Sequence, residues 1–132
     1  MSAVPDVCRL VTDADYPMLS GWWQGHGWPA VPQAVLPALG VIMADTAAGW
    51  LYMDNSGRGV AMMEWLVTDP AASPIQAARA LSAVVDFLKS EALRMDYHVI
   101  LTTCRQESLA RMLGKRGFDV TDREMIHLIG VF

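Results

Sequence analysis

The chain has 132 residues, of which 53% are hydrophobic and 18% charged, and its net charge is −4. That is the length of one domain, the composition excludes a disordered chain, and two lysines (Lys89, Lys115) leave no basic cluster for nucleic acid. The apolar excess calls for a cofactor cleft, a subunit interface such as a homodimer's, or both.

Residues 7–11 suit a first strand, with Thr12 and Asp13 as helix caps and a helix over residues 15–24 closed by Gly25 and Gly27. Asp6 and Arg9 precede any apolar run, so no signal peptide is expected and the expected compartment is cytoplasmic. Between Asp15 and Asp45 there is no Asp, Glu, Lys or Arg. Pro17, Pro29, Pro32 and Pro37 rule out a membrane helix there, and residues 25–37 read as a long apolar loop. Residues 40–44 and 49–53 predict two strands. Asp54, Asn55, Ser56 and Gly57 form a turn that leads to a fourth strand over residues 60–68. That strand is apolar on both faces except for Glu64.

Pro70 ends the strand, and Ser73 and Pro74 open a long helix. Ile75, Ala78, Leu81, Val85, Leu88 and Ala92 recur along it at spacings of three and four. A fifth strand over 99–103 follows, then a short helix over 108–116 ended by Gly117. Closing strands are expected over 118–120 and 125–131. The long helix between the fourth and fifth strands implies a right-handed parallel crossover, so the sheet is mixed and the class is α/β in a single domain. Cys8 and Cys104, with no CxxC or Cys/His spacing, give neither a disulfide framework nor a metal site.

This order resembles the GNAT acyltransferases. WLVTDP followed by PIQAARALSAVVDFL is similar to that family's fourth strand, phosphate loop and long helix. VILTTCRQESLARMLGKRGF is similar to its fifth strand, short helix and GF turn. YPMLSGWWQGHGWPAVPQAVLP further resembles a group of small phage-encoded GNAT-like proteins. The resemblance implies central parallel strands that splay apart, an acetyl-CoA cosubstrate and transfer of its acetyl group to an amine, whether a small molecule or a peptide. It places the pantetheine arm on the main chain of Trp65, Leu66 and Val67. It places the diphosphate on free amides around Ser73, Ile75, Gln76 and Ala77, with Arg79 one turn on. Gln106 stands where the family begins its next helix with Asn, and Ser108 lies beside it as a further cofactor contact.

Glu64 is the candidate base, since burial of a lone strand carboxylate raises its pKa. Trp22, Trp23, His26, Trp28 and Tyr52 are candidates for the acceptor wall. Cys104 and Ser108 stand near the expected thiol, while His98 and His127 read as structural. Two departures keep a second reading open. No glycine lies between Gly59 and Gly114, where the family pattern is Arg/Gln-x-x-Gly-x-Gly/Ala, and Leu113 replaces the family's usual tyrosine acid. On that reading the chain is a binding or virion-associated protein of the same fold that has lost acetyl transfer.

Overall fold

Local signals account for most of the elements. The computed structural model describes residues 8–132, so Val7, in the expected first strand, lies outside the described residues. Strand β1 spans Cys8–Leu10. In the turn after it, the Asp15 carboxylate accepts bonds from the Thr12 N–H (2.8 Å) and hydroxyl (3.1 Å) and from the Arg9 guanidinium (2.8 and 2.9 Å). Chiefly the Arg9 bonds hold that carboxyl well below the usual range. Helix α1, Tyr16–Gly25, ends in a Schellman motif. Gly27 sits at φ +80 with its N–H on the Gln24 carbonyl, and the Trp28 N–H bonds to the Trp23 carbonyl.

Strands β2 (Gly40–Met43), β3 (Ala47–Met53) and β4 (Val60–Thr68) form an antiparallel meander with β1. Strand β3 begins two residues before the expected start, because Ala44 and Asp45 both take positive φ within a three-residue hairpin loop that ends at Thr46. Helix α2, Pro74–Arg94, carries the chain to β5, Val99–Thr102, which pairs parallel to β4 at the sheet edge. Helix α3, Glu107–Gly114, follows. The sheet order is β1-β2-β3-β4-β5, a mixed α/β architecture as expected. No helix among the described residues is long and apolar enough to cross a membrane.

Both faces of the sheet are covered. On one, Val41, Met43, Leu51, Ala61 and Met63 pack under Val84, Val85 and Leu88 of α2. On the other, Ile42, Ala48, Trp50 and Val67 pack under Leu19, Trp22 and Trp23 of α1. The helix stripe read from sequence holds from Leu81 onward. Its first member, Ile75, is 75% exposed, because the opening turn of α2 projects past the sheet and turns Pro74, Ala77 and Ala78 to a cavity instead.

The expected closing strands over 118–120 and 125–131 do not form, so the last element of the expected order is missing. Arg123 pairs with Glu107 at the start of α3, Glu124 takes a positive φ, and His127 packs on Trp65. The segment is thereby directed toward the cavity and gains no ladder partner.

Candidate functional site

Strand β4 has two kinds of neighbourhood. Val60, Ala61, Met62 and Met63 pair with β3 or its turn on one side and with Val99, Ile100, Leu101 and Thr102 on the other. The last rung is reinforced by the Thr102 hydroxyl, which donates to the Met63 carbonyl at 2.6 Å. From Glu64 to Thr68, β3 is the only strand partner among the described residues. The parallel strands therefore separate after Met63, as the resemblance implied, and a cavity of about 550 Å³ opens between them, within the usual size for a small-molecule site.

A bulge shapes the wall. Ala48 pairs with Val67 and Trp50 with Glu64, so Trp65 and Leu66 stand opposite the single residue Gly49. Trp65 carries the bulge at φ +63, a conformation rare for a bulky residue. Its ring reaches the α1-side cluster while Leu66 turns to the α2-side cluster. Alternation puts Glu64 opposite in sense to Met63, so the bulge leaves Glu64 and Trp65 on the same face. Gly49 is required by space: a Cβ there would lie 2.6 Å from a Leu66 methyl and 2.9 Å from a Val84 methyl.

Glu64, half-buried, lines the cavity at the first position beyond the ladder, and one of its oxygens accepts a 2.8 Å bond from the Thr103 hydroxyl. Burial pushes its carboxyl above the ordinary value, with the Thr103 bond and the charge of His127 pulling the other way. Cys104 also lines the cavity, and burial followed by the charge of Glu107 raises its thiol pKa.

The α1 end closes one side. The His26 ring stacks on Trp28 at 4.5 Å, and the Arg105 guanidinium lies over the same indole at 5.1 Å. His26 Nε2 lies 2.8 Å from the Thr68 carbonyl. That oxygen can only accept, so Nε2 carries the proton. These contacts join the far end of β4 to the segment after β5.

Among the expected site residues, Glu64, Trp65, Leu66, Val67, Ala77, Gln106, Ser108, Trp23, His26 and Trp28 line this cavity. Trp22 does not, being a core residue of the α1 face. Tyr52 lies behind the wall: the Trp65 indole N–H donates to its oxygen at 2.8 Å, and its hydroxyl donates to the Val35 carbonyl. It holds the Trp65 ring in place. Ile75 and Arg79 are exposed and outside the cavity lining.

Ser73 and Gln76 correct the expectation of free amides. The Ser73 N–H donates to the Gln76 side chain at 3.2 Å, and the Gln76 N–H to the Ser73 hydroxyl at 3.2 Å. This is a capping box, which satisfies two of the donors at the helix start from within. Thr103, Cys104, Arg105 and His127 also line the cavity. A sequence signal for the first three was present, because the carboxyl ends of parallel strands are where open sheets bind ligands. His127 had none, as its place depends on the path of the final segment.

No protein-family model and no curated protein matches the chain. Solved structures do. An acetyltransferase of Trypanosoma brucei superposes with a TM-score of 0.67 at 17% identity, over 93% of this chain and 99% of that one. A GNAT family acetyltransferase from Streptococcus pneumoniae gives 0.63 at 12% identity, over 96% and 97%. A transcriptional regulator from Bacillus halodurans gives 0.64 at 14% identity, over 96% and 99%. Such identities concern the path of the backbone, and on that ground the fold of this chain is that of the GNAT acetyltransferases.

Proposed function

We propose that this chain transfers an acyl group from a thioester to an amine in the cavity between β4 and β5, with Glu64 as the base. One observation carries the reading: a lone carboxyl, raised in pKa by burial, stands where two parallel strands part. The fit of acetyl-CoA to the cavity is divided. Among the described residues the main chain from Glu64 to Thr68 has no second strand partner, and an extended arm bearing amides suits such an edge. The start of α2 does not suit a diphosphate, since its amides other than the Ile75 N–H are already bonded.

A thioester supplies an acyl carbon that an amine nitrogen attacks as the C–S bond breaks. The attacking nitrogen must first lose a proton, and Glu64 is placed to take it. The Thr103 bond fixes one carboxylate oxygen and leaves the other for the amine. The departing sulfur needs a proton, and Cys104, whose raised pKa keeps it a thiol near neutrality, faces the same cavity. Trp23, Trp28 and Pro29 give the acceptor an apolar wall. This favours a small or peptide amine that presents apolar surface next to its nitrogen.

Replacement Glu64→Gln keeps the shape of the site and removes the base. Turnover with an acyl thioester and a panel of amines should fall about 10²- to 10⁴-fold with thioester affinity retained. Unchanged turnover would remove Glu64 from the mechanism. A binding protein without turnover is the second reading. It is favoured by Leu113, which is 3% exposed and packed in the α2-side core, so no acid comes from that position.

A further inference from the structure

The loop between β4 and α2 has almost no main-chain donor left for an anion. The Asp69 N–H bonds to the Thr46 carbonyl, the Ala71 N–H to the Asp69 carboxylate and the Ala72 N–H to the Asp69 carbonyl. Ser73 and Gln76 close on each other, Pro70 and Pro74 have no N–H, and the Ala77 N–H bonds to the Ser73 carbonyl. Among the described residues, only the Ile75 N–H is left without an acceptor between Asp69 and Ala77.

The loop is also held in this form and carries the wrong charge. A Cβ on Gly25 would lie 2.6 Å from the Pro70 ring, so the end of α1 presses directly on it. Asp69 adds a negative charge bonded within the loop. Among the described residues, Arg105 is the one Lys or Arg lining the cavity, and it lies over Trp28 on the opposite wall, after β5. By contrast the cavity beside β4 is wide, largely apolar and edged with unladdered main chain.

Resting on the acyl-transfer reading above, we infer that the cavity recognises its donor by the neutral, amide-bearing pantetheine arm alone, and that the nucleotide diphosphate of a CoA thioester adds nothing to binding. The donor class is then an acyl-pantetheine thioester, whatever its far end carries.

Calorimetry with the intact chain separates the possibilities, using pantetheine and CoA as probes. The two dissociation constants should agree within about threefold and the CoA value should change little with salt, because no charge contact distinguishes them. CoA bound more than about tenfold tighter than pantetheine would overturn this inference and leave acyl transfer standing. Binding of neither would overturn both. The variant Gln76→Ala, at a position outside the cavity lining, releases the Ser73 N–H. It should tighten CoA by about threefold or more and leave pantetheine unchanged. An equal gain for both probes, or none for CoA in a variant that retains the wild-type helical spectrum, would overturn the assignment to the closed amides.

Discussion

The two halves of β4 are built from similar residues and do different work. In the first half, Ala61 and Met63 are fully buried, with a strand on each side. In the second half, Glu64, Trp65 and Leu66 are only partly buried, with a strand on one side and a cavity on the other. The contrast teaches that a site can be made by ending one ladder while its neighbour continues. The divergence begins at Thr102, whose hydroxyl caps the Met63 carbonyl, and the bulge at Trp65 then re-aims the wall.

Met63→Ala should break the laddered half most severely. It removes a fully buried side chain beneath α2 and should cost about 2–5 kcal/mol in chemical denaturation. A loss well below 1 kcal/mol would mean that this half is no better packed than the cavity wall.

Gly49→Ala tests the bulge that separates the halves. Its Cβ would crowd Leu66 and Val84, at a cost of about 1–3 kcal/mol. The change should also alter thioester affinity, because Leu66 lines the cavity. A neutral effect on both stability and affinity would show that the wall yields freely.

The smallest effect belongs to Glu64 and appears in the pH dependence of stability. A carboxyl whose folded pKa is raised binds its proton more tightly in the native state than in the unfolded chain. Its contribution is therefore fully present below the unfolded value and is lost as pH rises through the raised native value. Glu64→Gln should remove that slope, so its stability relative to wild type should increase with pH across this window. Parallel denaturation series that do not diverge would show the carboxyl to be unperturbed.

Much of the frame could be read from local chemistry. Pro70, Ser73 and Pro74 marked the passage from strand to helix, and β4 has the bounds that its apolar run implied. Gly27 marked the end of α1 because a Schellman motif needs positive φ there. Glu64 stood out as the lone charge in that strand. The final segment misled, since the apolar run over 125–131 is only a propensity until a neighbouring strand presents its edge.

The sequence by itself determined the order of strands and helices as far as α3, the mixed sheet and the one carboxyl worth testing. These follow from periodicity, proline and glycine, which act within a few residues. Tertiary structure alone decided that His127 meets that carboxyl's cavity, that Tyr52 stands behind Trp65, and that Trp22 belongs to the core of the α1 face. Each of these depends on the separation of strands or the direction of a side chain, set by packing between segments far apart in the chain.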